Sequence, residues 1–237
     1  MNKLVLTCEH GGAQIPAPYK KLFAQNTAVL KTHRALDIGA LAVAQELEKN
    51  LKVALDFSVT SRLIVDLNRF LDSQTLFSEF TSPLSDLEKA KILKTYYEPH
   101  WQRVTLRVGK LVAKKNRVVH VAVHSMTDRL HGKVRPMQLA LLYDSRRKAE
   151  KEFASKWITE LRKEFPDFKI ARNNPYKGNG EGLTTSLRRK FPQKSYLGVE
   201  LEINQGFFKT LKTKKQQNDF SMRLGNSLHR ALAGDEQ

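Results

Sequence analysis

The chain has 237 residues, of which 41 are basic and 24 acidic, giving a formal net charge of +17. An apolar share of 41% and a charged share of 27% exclude a disordered chain, and no run reaches the ~20 apolar residues that a membrane span needs. The length suits a single domain over 1–237, and the lone Cys8 excludes an internal disulfide and fits a reducing compartment.

Leu4 to Cys8 is an apolar run that reads as a first strand rather than a signal peptide, so the cytoplasm is the expected address. Within such a run Cys8 is expected to be a buried structural thiol rather than a nucleophile. Glu9 to Pro18 must be a loop. Leu36, Ala40, Val43, Ala44 and Leu47 then recur at helical spacing, with Asp37 in the first turn, where a carboxylate suits the helix dipole. Val53 to Phe57 reads as a strand, Ser61 to Leu67 as an extended piece, and Asp72 to Pro83 as an irregular loop. Ser85 with Glu88 three residues on is a capping box that opens a helix to Tyr97. Pro99 marks a break or restart before Trp101 to Ala113.

Val118 to Val123 is β-branched and apolar on both faces, as in the centre of a parallel sheet, with His120 and His124 on the same side. Gln138 to Tyr143 is a further strand, Lys148 to Phe165 an amphipathic helix, and Ile170 to Arg172 a brief extended piece. Asn174 to Gly182 is a loop rich in Gly, Asn and Pro. Tyr196 to Ile203 is the last strand and Lys215 to Ala233 the closing helix. This alternation predicts an α/β fold, a three-layer α/β/α sandwich around a mostly parallel or mixed sheet.

Three polar groups sit at or near the ends of these strands: His10, His124 and Glu202. Ligands of open α/β sheets gather at the carboxyl ends of strands, so such residues can converge. Two His and one carboxylate would satisfy a catalytic zinc, which takes three protein ligands and keeps one position open. A further carboxylate is then needed to move the proton of the attacking water. His120 is expected to be a packed or hydrogen-bonded core histidine, and His100, His131 and His229 lack metal-ligand spacing. The basic residues fall in short clusters spread along the chain, without zinc-finger spacing or an aromatic RNA-binding signature, which argues against a nucleic-acid partner.

Cys8-Glu9-His10-Gly11-Gly12 with Ile15-Pro16, Leu36-Asp37-Ile38-Gly39-Ala40, and Ser61 to Arg69 resemble motifs of the N-formylglutamate amidohydrolase family. Val121 to Met126, Pro175-Tyr176-Lys177-Gly178 and Val199 to Ile203 continue the resemblance in the family's order, from about residue 4 to 208. The layout is also similar to that of zinc carboxypeptidases and cell-wall amidases. The resemblance implies zinc held by His10, Asp37 and His124, with Glu9 as the alternative carboxylate ligand. It implies Glu202 as general base and acid, with Glu200, two residues away on the same face, as its alternative.

Arg62 and Arg69 offer planar forks for a substrate carboxylate, Asp66 and Asn68 orient these arginines or close a turn, and Tyr176 and Gly178 shape the pocket. Where the family shows a Gly pair after the Tyr, this loop reads Lys177-Gly178-Asn179-Gly180. The implied activity is zinc-dependent hydrolysis of a small anionic N-acyl amino acid, with N-formyl-L-glutamate giving formate and glutamate. An amidase or peptidase acting on cell-wall or peptide substrates and a non-catalytic polyanion-binding module are the alternatives.

Overall fold

The computed structural model describes residues 2–130 and 132–233, so His131 lies outside the described residues. The strands are β1 (Asn2–Cys8), β2 (Leu55–Phe57), β3 (Arg117–Met126), β4 (Arg129–Leu130), β5 (Lys133–Val134), β6 (Leu139–Leu142), β7 (Ile170–Arg172) and β8 (Tyr196–Asn204). The helices are α1 (Ala40–Leu51), α2 (Asp86–Ile92), α3 (Glu98–Ala113), α4 (Lys148–Glu164), α5 (Leu183–Lys190), α6 (Gln205–Phe208) and α7 (Lys214–Ala233). Six strands form one sheet in the order β2-β1-β3-β8-β6-β7. Neighbours from β2 through β8 are parallel; β6 runs antiparallel to β8 and parallel to β7, so the sheet is mixed. β4 and β5 pair as a separate small hairpin.

The period-two alternation of the central strands sorts their side chains between two layers. Leu6 and Cys8, then Val119, Val121 and Val123, then Leu197, Val199 and Leu201 share one large apolar core with residues of α1, α4 and α7. Val5, Val118 and Tyr196 point the other way and pack on Val104 and Val108 of α3 and Leu183 and Leu187 of α5. Helices therefore cover both faces, and the sandwich expected from the alternation is the observed architecture. Cys8 is fully buried, and burial followed by the nearby Glu9 carboxylate pushes its thiol well above the ordinary range.

The α3 side of the sheet is not wholly apolar. His120 is fully buried between the Thr7 hydroxyl, 2.8 Å from Nε2, and the Tyr196 hydroxyl, 2.7 Å from Nδ1. It is the hydrogen-bonded core histidine that the sequence led us to expect. With both ring nitrogens engaged and the ring dry, burial lowers its pKa to about 4.

Three local expectations change. The first helix begins at Ala40, not Leu36, because Gly39 adopts a left-handed φ of 85° and residues 36–38 turn back toward the sheet. Ser61 to Leu67 is not extended: Ser61 N–H donates to Gln14, Arg62 to Ala35 and Asp66 to Leu76, folding it into turns. Its consecutive apolar residues Leu63, Ile64, Val65 and Leu67 are buried because they enter a second core with Tyr19, Phe23, Leu76, Ile92 and Tyr97. Pro99 does not break its helix. A π-helical turn at 93–97 joins α2 to α3, so Pro99, which has no N–H to donate, falls in the first turn of α3. The Ser85 cap forms as expected, accepting from Glu88 N at 3.3 Å.

Candidate functional site

β1, β3 and β8 are adjacent and parallel, so their carboxyl ends lie on one edge of the sheet. That edge brings His10, just past β1, to His124 near the end of β3, and the β3–β8 register sets Glu202 directly beside His124. Asp37 arrives from the turn before α1. Its N–H donates to the His10 carbonyl at 2.9 Å, and its carbonyl accepts from Ala40 N at 3.1 Å. A Cβ on Gly39 would stand 2.6 Å from the Phe208 ring, so the turn needs glycine for space as well as for φ. Ser125 braces the same turn: its hydroxyl donates to the Ile38 carbonyl at 2.9 Å and its N–H to Asp37 Oδ2 at 3.3 Å.

His10, Asp37 and His124 each offer one ligand atom, and these atoms lie within 4.8 Å of one another in a buried setting. Both imidazoles turn Nδ1 toward Asp37 Oδ2, at 3.4 Å from His10 and 2.9 Å from His124. Their outer nitrogens face other carboxylates: Asp66 Oδ1 at 2.7 Å from His10 Nε2 and Glu9 Oε2 at 3.2 Å from His124 Nε2. A metal-binding histidine is usually oriented by a carboxylate on its second nitrogen; His10 is hydrogen-bonded to one, and His124 has one close by. The donor set of two imidazoles and a carboxylate, with a further carboxylate beside each ring, fits a divalent ion such as zinc.

The charges agree with this arrangement. Burial opposes ionisation of Asp37, Asp66 and Glu9, yet each is held below the usual carboxylate range. His10 and His124 do this for Asp37, Arg62 and His10 for Asp66, and His100 and His124 for Glu9. Burial likewise opposes protonation of His10 and His124, yet the surrounding carboxylates raise both. Glu202 behaves differently. It is buried, its Oε2 has no hydrogen-bond partner, and burial pushes its pKa up to about 8, with His124 pulling against that and Asp37 and Glu200 adding to it. Glu200, on the same face, accepts a hydrogen bond at Oε1 from the Thr184 hydroxyl at 2.7 Å.

A pocket of about 470 Å³ opens over these groups, lined by His10, Asp37 and His124 and by Arg62, Asn68, Arg69, Tyr176, Glu200 and Glu202. Arg62 is engaged with Asp66 Oδ2 through Nη2 at 2.6 Å and Nε at 3.1 Å, and Nη1 lies 3.5 Å from Asp37 Oδ1. Arg69 donates to the Thr75 hydroxyl at 3.1 Å and to the Asn68 carbonyl at 3.2 Å. Tyr176 is half exposed, with its hydroxyl accepting from Arg135 Nη2 at 3.0 Å. Gly178 is not among the lining residues. It lies flat on the end of β6, where a Cβ would come within 1.9 Å of Tyr143 N.

Asp66, expected to orient the arginines or close a turn, holds Arg62 and in addition bonds His10. His100, 3.6 Å from Glu9, and Lys177 and Glu181 in the pocket wall join the site without a signal in the sequence. Alternation along β1 was a usable signal for Glu9, which continues the inward series Val5 and Thr7 toward α3. His229 sits beside Asn2 and Leu4 at the opposite, amino-terminal end of β1.

A model of the N-formylglutamate amidohydrolase family matches residues 2–208. Among solved structures, the chain is similar to a gene product of Agrobacterium tumefaciens, at TM-score 0.83 and 28% identity over 99% of this chain and 92% of that one. It shares the fold of N-formylglutamate amidohydrolase from Ralstonia eutropha JMP134, at TM-score 0.66 and 18% identity over 96% and 94% of the two chains. No curated protein matches the sequence. With the family's pattern spanning most of the chain and a His, Asp and His cluster at the carboxyl edge of its sheet, the chain belongs to the N-formylglutamate amidohydrolase family.

Proposed function

We propose that the protein is a zinc-dependent hydrolase of N-acyl amino acids, with N-formyl-L-glutamate, giving formate and glutamate, as the best-supported substrate. The observation that carries this reading is the meeting of two unlike groups in one pocket. A buried His10, Asp37 and His124 cluster faces Glu202, a buried carboxyl with an unpartnered oxygen.

In this reading His10, Asp37 and His124 hold the ion, and Glu9 supports His124 from behind rather than binding metal itself. When bound, zinc would polarise the acyl carbonyl and lower the pKa of the attacking water. Glu202 accepts that water's proton and returns it to the departing amide nitrogen. Burial raises the proton affinity of Glu202, which suits the return of the proton to the departing nitrogen, and a cation bound beside it would favour the ionised form that accepts it. Glu202 is favoured over Glu200 because Thr184 already occupies a Glu200 oxygen.

Arg69 is the better placed of the two arginines to take the substrate's carboxylate, since Arg62 is committed to Asp66 and Asp37. Arg62 then holds the two carboxylates beside His10 in position, and Asn68 and Tyr176 bound the pocket. A surplus of 17 positive charges favours encounter with an anionic substrate, and the buried thiol of Cys8 suits the reducing cytoplasm proposed as its setting.

The test is formate release from N-formyl-L-glutamate by purified protein, abolished by a chelator and restored by zinc. Activity that survives complete metal removal, or in His124→Ala, would overturn the metal assignment. Release of muropeptide from cell wall with no turnover of N-formylglutamate would replace the substrate with a cell-wall amide.

A further inference from the structure

Arg188 is a buried cation that the proposed reaction does not use. Its guanidinium is fully engaged. Nε donates to both oxygens of Glu150 at 3.0 and 3.1 Å, Nη1 to the Gly178 carbonyl at 2.6 Å, and Nη2 to the Gly198 carbonyl at 2.7 Å. Glu150 is fully buried and also accepts the N–H of Gly198 at 3.1 Å and of Asp144 at 2.9 Å.

This ion pair joins three segments that bear on the pocket. Gly178 belongs to the loop whose Tyr176, Lys177 and Glu181 form one pocket wall. Gly198 lies on β8, on the same face as Glu200 and Glu202. Asp144 follows β6, against whose end Gly178 is pressed. The loop is fastened here by the Gly178 N–H, which donates to Asn173 Oδ1 at 3.2 Å, and by its carbonyl, which Arg188 holds. A lysine has one point of charge and could not hold Glu150 and two carbonyls in separate directions, whereas the planar fork of arginine does.

We propose that Arg188 is a positioning residue for substrate recognition. It clamps the loop 174–182 to the strand that carries Glu202, so that Tyr176 and Lys177 meet the far end of the substrate at a fixed distance from the reacting amide. The proposal rests on the N-acyl amino acid reading above, and its test separates the two. Arg188→Lys keeps a charge beside Glu150, and Glu150→Met/Arg188→Met removes the pair together, so that neither Glu150 nor Arg188 is left buried without the other; Arg147, 3.1 Å from Glu150, keeps its bonds to the Arg188, Phe191 and Tyr196 carbonyls.

For zinc-loaded Arg188→Lys we expect KM for N-formyl-L-glutamate to rise about tenfold with kcat within about twofold of wild type. Zinc content should be unchanged. Amide hydrogen exchange should quicken in 174–182 but not in β3. The double variant should show the same split between KM and kcat. An unchanged KM, or a kcat that falls with overall protection while KM holds, would overturn the clamp and leave Arg188 a general stabilising residue. Should wild-type protein turn over no N-acyl amino acid, the substrate reading fails by itself, and unchanged exchange in 174–182 would still refute the clamp.

Discussion

Glu9 Oε2 lies 3.2 Å from Nε2 of His124, while the other nitrogen of the same ring lies 2.9 Å from Asp37. One imidazole therefore stands between a buried carboxylate behind and the candidate metal position in front. With a cation bound at Nδ1, Glu9 would be the carboxylate placed to accept a proton from Nε2 and so orient the ring. Glu9→Gln preserves shape but removes the acceptor charge. Zinc affinity, measured by competition with a chromogenic chelator, should fall roughly 10- to 100-fold with the circular dichroism spectrum unchanged. Unaltered affinity would mean that Glu9 does not orient His124.

Glu202→Gln separates proton transfer from binding. A glutamine fills the same space but cannot accept the water's proton, so kcat should drop by about three orders of magnitude. KM and zinc content should stay near wild type. A comparable loss in Glu200→Gln, with Glu202→Gln active, would exchange the two roles.

His120 makes stability depend on pH. Its folded pKa is about 4 against an ordinary 6.5, so on acidification the unfolded chain takes the proton first. The contribution of neutral His120 is complete above pH 6.5 and is lost as pH falls toward 4, amounting to about 3 kcal/mol. Urea unfolding across that range should show the decline. In His120→Gln, although less stable at neutral pH because the Thr7 and Tyr196 hydroxyls are perturbed, the decline should be shallower. Parallel curves for the two proteins would contradict the burial argument.

Gly39→Ala should damage the site from a distance. The alanine must hold a backbone φ of 85° and its methyl must meet the Phe208 ring at 2.6 Å, which should destabilise the fold by about 1–3 kcal/mol. Since Gly39 ends the turn that carries Asp37, zinc affinity should weaken as well. A thermal midpoint and a chelator titration on the same sample would show the two losses together, and retention of both would refute the strained-turn account.

The pattern of apolar residues suffices for the layers and for the edge at which the site forms. Apolar runs at Leu4 to Cys8, Val118 to Val123 and Tyr196 to Ile203 can only be buried strands, and alternation puts His120 with His124, and Glu200 with Glu202, on common faces. Once such strands lie parallel, their carboxyl ends coincide, which is why His10, His124 and Glu202 stand out in the sequence alone. The contacts within that edge depend on how distant segments pack. Asp37 leaves its helix, Asp66 bonds His10 as well as Arg62, and Ser61 to Leu67 folds into turns, because bonds to Gln14, Ala35, Leu76 and His10 outweigh local preference. Helix α5 was invisible because only Leu183 and Leu187 mark its apolar face, and with it the reach of Arg188 to Gly178 and Gly198. Periodicity reports which face a side chain takes. Which distant group meets it there is settled only when the whole chain is packed.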